Sequence, residues 1–259
     1  MKEFYNNNGY YSPLRLFSID QANEYRKKLE LTESKIGPLH YFAKTYTMLK
    51  WVHDVATNTI MLDFVEELIG KNILLYNSTF IIKEPKSKTH VSWHQDLTYW
   101  GFDNNEKQVS AWIALSNVND FSGCMQMIPG SHKQGFFDHK STNDSNNVLS
   151  RGQTVQNVEK DKAISCPLLP GEASFHHGLI LHASQPNNSN DRRIGLNFQF
   201  ITTDMQQLKS DNDSAILVRG KDDYNNFKMD IVAKYDFDHD GHERLLERNE
   251  HYNKTIREK

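Results

Sequence analysis

Arg193-Ile194-Gly195-Leu196-Asn197-Phe198-Gln199-Phe200 alternates apolar and polar residues without a break. A period of two puts Ile194, Leu196, Phe198 and Phe200 on one face of a β-strand, and Arg193, Gly195, Asn197 and Gln199 on the other. The first face belongs in a core. The second either meets water or lines the wet interior of an open barrel, where a ligand would sit. Outward from this strand, short apolar or β-branched stretches recur at Ile73 to Lys83, Val109 to Leu115, Met125 to Ile128, Ala163 to Leu168 and Ala173 to Ile180. Turn clusters such as Asp103-Asn104-Asn105, Pro129-Gly130-Ser131 and Pro170-Gly171 separate them,. Many short strands without crossover helices predict a sandwich or jelly roll.

Upstream of residue 73 the period is helical. Ser18-Ile19-Asp20-Gln21 is a capping box that opens a helix through Ala22, Tyr25 and Leu29,. A second helix begins at Asn58 or Thr59, carries Met61, Phe64, Val65 and Leu68, and stops at Gly70,. Neither an internal repeat nor a Gly/Ser/Pro-rich linker divides the chain, so one domain is expected over 1–259. Its parts would be a mainly helical 1–70, a mainly β jelly-roll core over 73–203, and a C-terminal extension over 204–259. The polar, Asn- and Ser-rich segment 139–162 reads as a long surface loop.

Composition narrows the function. The 259 residues are 37% apolar and 24% charged with a net charge of −3, which suits a globular domain and gives no basic footprint for nucleic acid. No apolar run approaches the ~20 residues that span a bilayer, and Met1-Lys2-Glu3-Phe4 does not open a signal peptide. A cytoplasmic protein with no membrane partner is expected. Cys124 and Cys166 match no C-x-x-C pattern,. Twelve histidines are enough for a metal site and more than one site uses.

Ser92-Trp93-His94-Gln95-Asp96 selects among them. On an extended chain His94 and Asp96 project from one face, and a distant histidine would complete the 2-His-1-carboxylate facial triad, which leaves coordination positions open. His182, in Leu181-His182-Ala183-Ser184, is the favoured third ligand. Arg193 follows it eleven residues later on the polar face of the opening strand, where a guanidinium fork suits a carboxylate of a dicarboxylate cosubstrate. His176 and His177 are alternative distal ligands, though adjacent strand residues face opposite ways and neither keeps the offset to Arg193. His132, after Pro129-Gly130-Ser131, reads as a turn residue shaping the site wall.

With those residues in place, the chain resembles the phytanoyl-CoA dioxygenase family of Fe(II)/2-oxoglutarate oxygenases. The resemblance rests on Trp93-His94-Gln95-Asp96 with Tyr99-Trp100, on Ala111-Trp112-Ile113-Ala114-Leu115, on Gly123 to His132, and on His182-x-Ser184-x-Pro186-Asn187-Asn188-Ser189 with Arg193. It implies a double-stranded β-helix core, cupin-like in form. His94, Asp96 and His182 would hold Fe(II), and Arg193 would take the distal carboxylate of 2-oxoglutarate in preference to Arg192. Ser184, Trp112 and Lys83 match positions near the cosubstrate. Thr79 and Asn77 share the strand and phase of Lys83 and would reach cosubstrate or substrate. Tyr99, Trp100 and Asn197 are further substrate-facing candidates, as is Gln95, which sits between the two ligands and points away from them.

The implied reaction uses O2 and 2-oxoglutarate to hydroxylate an unactivated C–H bond of a small molecule, releasing succinate and CO2. Asp96 stands where the related halogenases carry a small residue, which favours hydroxylation. Without a basic patch for the coenzyme A phosphate, a small free metabolite is the expected substrate. Two other classes share these ligands: a cupin-like binding protein without turnover, and a zinc hydrolase. A separate pattern, Asp236-x-Asp238-x-Asp240-Gly241 with Glu247, satisfies the calcium-loop expression,. Glu243 and Arg244 occupy its eighth and ninth positions, and the match is expected to be fortuitous.

Overall fold

The computed structural model describes residues 1–149, 152–238 and 240–257. From the N-terminus come α1 (Lys2–Asn8), β1 (Tyr10–Arg15), α2 (Ile19–Ile36), α3 (Lys50–Ala56), α4 (Thr59–Ile69), β2 (Ile73–Lys83), β3 (Val91–His94) and the single turn α5 (Leu97–Trp100). The strands β4 (Gln108–Ala114), β5 (Met125–Met127), β6 (His139–Ser141), β7 (Gln153–Val155), β8 (Ile164–Cys166) and β9 (Glu172–His176) follow. Last are β10 (His182–Ser184), β11 (Arg193–Thr202), β12 (Ser214–Arg219), β13 (Lys228–Met229) and α6 (Gly241–Arg257). The protein is mainly β with flanking helices, as the alternation anticipates.

Both helix signals act as read. At α2 the Gln21 N–H donates to Ser18 Oγ at 3.2 Å, and Gln21 Oε1 accepts from the Ser18 N–H at 3.0 Å. At α4 Asn58 Oδ1 accepts from the Met61 N–H at 3.1 Å, and Gly70 ends the helix with a φ of 100°. The N-terminal region is nevertheless not wholly helical, because Tyr10–Arg15 forms β1. That strand pairs antiparallel with β9, Tyr10 opposite His176.

The chain divides into two compact units, and β2, β4 and β11 each contribute to both. The first comprises Met1–Pro38, Ile81–Thr98 and Trp112–Gly195. It contains a four-stranded sheet in the order β3-β10-β5-β8, and a second sheet in which β1, β9 and the adjoining ends of β4, β11 and β2 follow one another. Trp112 and Ala114 of β4, Met125 and Met127 of β5, Cys166 of β8, and Val118, Leu168 and Ile180 interdigitate between these sheets. This is the packed interior of a jelly roll. Trimming Met127, which is fully buried, to Ala would cost about 2–5 kcal/mol.

Two expectations need correction here. The strand expected over 173–180 stops at His176; a turn intervenes, and His182 opens β10 in the four-stranded sheet. Segment 139–162 is not only a loop. It holds the β6–β7 hairpin, His139 opposite Val155, and Val155 packs with Trp93, Ile128, Leu181 and Ala183.

The second unit comprises Leu39–Phe80, Tyr99–Ala111 and the chain from Leu196 onward. Its strands run β4-β11-β2-β12-β13, with Ile216 of β12 opposite Leu75 of β2, so the C-terminal extension completes a sheet. Every residue of β11 is buried, so its polar face does not meet water. In the calcium-like stretch, Asp236 Oδ1 accepts from the Trp51 N–H at 3.0 Å and Asp238 Oδ2 from the Lys234 N–H at 3.0 Å. Gly241 already begins α6, and Glu247 lies within it. The acidic pattern thus runs into a helix with Asp236 and Asp238 bound to backbone N–H groups, and residue 239 lies outside the described residues.

Candidate metal centre

The centre is built where β3 and β10 pair in the first unit. His94 and His182 are direct cross-strand partners, and their rings lie 4.0 Å apart, tilted by 48°. Asp96 follows immediately after β3, in the turn that enters α5, where the Thr98 N–H donates to the Gln95 carbonyl. Turning the chain brings Asp96 Oδ1 to 3.3 Å from His94 Nε2 and 3.7 Å from His182 Nε2. The ligating atoms of the three residues all lie within 4.8 Å of one another. The two-residue spacing therefore works through a strand end and a turn, not through a continuous strand.

Backbone carbonyls assign the ring protons. His94 Nδ1 lies 2.9 Å from the Ser92 carbonyl and 3.1 Å from that of His182, and His182 Nδ1 lies 3.0 Å from the Ile180 carbonyl. A carbonyl only accepts, so each Nδ1 carries a proton and donates, and Nε2 is the ring nitrogen turned toward Asp96. Burial, with His94 adding, lowers His182 to about 3, which keeps it neutral. Burial alone would raise the Asp96 carboxyl, but His182, His176 and His94 outweigh it and hold the group well below the usual carboxylate range. Two imidazole Nε2 atoms and a carboxylate oxygen converge on one point. A divalent cation is the partner that makes such an arrangement favourable, and these neutral nitrogens with one carboxylate fit Fe(II).

Beside this set the unit buries two cations. Lys83 Nζ donates to Ser184 Oγ at 2.6 Å, to the Ser184 carbonyl at 3.1 Å and to the Gln185 carbonyl. Burial, with Arg193 adding, pushes its ammonium down to about 6. The Arg193 guanidinium lies over the Trp112 ring at 4.6 Å, its Nη1 donating to the Ile81 carbonyl at 3.5 Å. Gly195 makes room for that ring: a Cβ there would meet Trp112 Cζ2 at 1.8 Å. Two buried cations that raise each other's cost are suited to an anion, and a dicarboxylate supplies one. Arg192, by contrast, is held outside by Glu33 at 2.8 Å and Glu84 at 2.9 Å.

The remaining sequence candidates divide by unit. In the first, Gln95 is fully buried; its Nε2 donates to the Gly135 and Leu179 carbonyls, and its Oε1 accepts from the Phe137 N–H. In the second, Asn77 Oδ1 accepts from the Lys44 N–H at 2.8 Å, while Thr79, Tyr99, Trp100 and Asn197 are all buried. His177 faces away from the ligands: its Nδ1 accepts from the Leu179 N–H, and its ring lies 5.3 Å from His132. His176, which the sequence offers only as an alternative distal ligand, lies at the centre beside Asp96, and Gly195 is the residue there that the sequence reading left without a role.

A jelly roll carrying a 2-His-1-carboxylate centre defines the class of mononuclear non-haem metal oxygenase folds. Within that class the chain belongs to the phytanoyl-CoA dioxygenase (PhyH) family, whose sequence profile matches residues 14–195. The peroxisomal phytanoyl-CoA dioxygenase of Homo sapiens is 28% identical over 152 residues, 57% of this chain and 45% of that protein. A probable alpha-ketoglutarate-dependent hypophosphite dioxygenase of Stutzerimonas stutzeri is 30% identical over 150 residues, 57% and 52% of the two chains. The chain therefore spans about half the length of these curated relatives. Among solved structures, the apo form of the non-heme monooxygenase ThoJ superimposes with a TM-score of 0.87 at 24% identity, covering 98% of both chains.

Proposed function

We propose that the protein is an Fe(II)- and 2-oxoglutarate-dependent dioxygenase that hydroxylates a C–H bond of a small metabolite, with release of succinate and CO2. The observation that carries this reading is the geometry at the centre, where Nδ1 of each imidazole faces a backbone carbonyl and Nε2 of each faces Asp96 Oδ1. Bound Fe(II) with 2-oxoglutarate supplies the O2-dependent oxidising chemistry. The chain's own work is to hold the metal through His94, Asp96 and His182, and to seat the dicarboxylate against Arg193, Lys83 and Ser184. Trp112 supports Arg193 from below. Thr79 as a cosubstrate contact, and Asn77, Gln95, Tyr99, Trp100 and Asn197 as substrate contacts, belong to the same reading on motif position and strand phase.

Two free, buried thiols, Cys124 and Cys166, support a reducing compartment such as the cytoplasm, and no described helix is long and apolar enough to cross a membrane. The reading is tested by adding Fe(II) and 2-oxoglutarate to the protein without oxygen. A visible charge-transfer band, followed by substrate-dependent succinate release in air, is expected. A protein that retains zinc, shows no band and releases no succinate with any metabolite pool would overturn it.

A further inference from the structure

His176 closes β9 and is 2% exposed. Its Nε2 lies 3.4 Å from Asp96 Oδ2, and its ring centre is 5.0 Å from that of His182. The two oxygens of Asp96 are thereby divided: Oδ1 faces Nε2 of His94 and of His182, and Oδ2 faces His176. Nδ1 of His176 is buried with no hydrogen-bond partner among the described residues. A neutral imidazole carries one proton, and here the acceptor lies on the Nε2 side only.

We infer that His176 is a positioning residue that donates its Nε2–H to Asp96 Oδ2 and so keeps this carboxylate a one-oxygen ligand. The inference rests on the proposed metal reading and deepens it. A carboxylate can bind a cation through one oxygen or both. With both engaged, Asp96 would occupy two coordination positions instead of one. With Oδ2 held by a donor, three ligand atoms come from the protein and three positions stay open for a chelating 2-oxo acid and one further ligand. His176 does not join the triad itself, because what its Nε2 meets is the carboxylate oxygen turned away from the other two ligands. Hydrogen-bonding partners of ligand side chains typically change metal affinity by about 10–100-fold when removed.

The test compares His176→Phe, which keeps a flat ring without the donor, with His176→Gln, whose amide nitrogen reaches about as far as Nε2, and His176→Asn, whose amide falls short. Metal affinity is measured by Co(II) titration of the metal-free protein, the ligand set by the Co(II) d–d bands, and cosubstrate binding by the Fe(II)·2-oxoglutarate band without oxygen. Expected for Phe and Asn are about 10–100-fold weaker metal binding, d–d bands shifted from wild type as a second carboxylate oxygen replaces a solvent ligand, and a diminished charge-transfer band. Gln should restore all three, and metal-free melting temperatures should stay close to wild type. Should the Phe variant not fold, the Gln and Asn pair carries the comparison alone. Phe or Asn variants with wild-type metal affinity and spectra overturn the inference, as does a Gln variant as impaired as Asn. If the unmodified protein fails to bind Co(II) through Asp96, with Asp96→Ala unchanged, the metal reading itself has failed.

Discussion

Lys44 in the second unit and Lys83 in the first are both buried, and their surroundings differ in kind. Lys44 Nζ donates to the Tyr76 carbonyl at 2.7 Å and to the Ser214 carbonyl, and lies 3.7 Å from Asp213 and 4.0 Å from Asp230. The tyrosine hydroxyls complete the set: Tyr76 donates to Asp213 and Tyr46 to Asp230, each at 2.6 Å, while Arg248 pairs with Asp230 at 2.8 Å. Burial, with the aspartates adding, raises both phenols well above their ordinary value, which keeps them protonated as donors. Opposite charges meet and the network is internally paired. Lys83 has neutral oxygens around Nζ, and the charged neighbour that most affects it is another cation, Arg193. A buried cluster that exists for stability closes its charges within the protein, whereas one that exists for a ligand leaves a buried basic group without a counter-charge until the ligand arrives.

Breaking each cluster should therefore give opposite results. The largest effect is expected at the metal: Asp96→Ala removes the one anionic ligand, and succinate release should fall below detection while the metal-free fold survives. Turnover comparable to wild type would remove the metal assignment. Next, Lys44→Met leaves Asp213 without its cation and should lower unfolding stability by about 3–5 kcal/mol, read from urea melts. The matched change Lys83→Met removes a buried basic group that has no counter-charge and should leave the metal-free melt unchanged or raised. If the two lysine variants melt alike, the distinction between closed and open clusters is wrong.

Arg193→Ala should cost about 2–5 kcal/mol of 2-oxoglutarate binding and leave metal affinity nearly intact. Gly195→Val should follow it in direction, since a side chain there displaces Trp112 from beneath the guanidinium. Arg192→Ala, which loses only partly exposed pairs with Glu33 and Glu84, should change cosubstrate affinity little. An anchor at Arg192 would show the reverse order in the same titration.

Strand phase made much of this legible. Alternation in Arg193–Phe200 put the guanidinium on the polar face, and the caps at Ser18 and Asn58 located the starts of two helices. What failed did so for a local reason. Tyr10–Arg15 is a short strand broken in pattern by Ser12-Pro13, and it becomes a strand through its pairing with β9, which no local pattern shows. The break after His176 went unseen because His177–Leu181 continues the apolar run while the backbone turns between sheets. Lys44 looked ordinary in sequence, yet it adopts a left-handed φ of 58°, stabilised as its N–H donates to Asn77. Its two aspartates lie far along the chain, and nothing in one sequence links them.

The smallest effect is the most direct measure of an open cluster. Lys83 titrates near 6 in the folded protein against an ordinary 10.5. Between those values the unfolded chain holds a proton that the folded chain lacks, so the folding contribution of this group improves as pH rises from about 6 toward 10.5. A bound dicarboxylate reverses the local balance by favouring the ammonium, which raises the Lys83 pKa in the complex. At pH 7.5 binding must then take up a proton, up to about one per site, and affinity must weaken as pH climbs above 6. Calorimetric titration of the metal-loaded protein with 2-oxoglutarate, in buffers of different ionisation enthalpy, reads the uptake as a buffer-dependent heat. Lys83→Met should abolish the buffer dependence while retaining weakened binding through Arg193. Identical heats in all buffers for the unmodified protein would mean that Lys83 is already charged before the anion arrives, and that its cluster is as closed as that of Lys44.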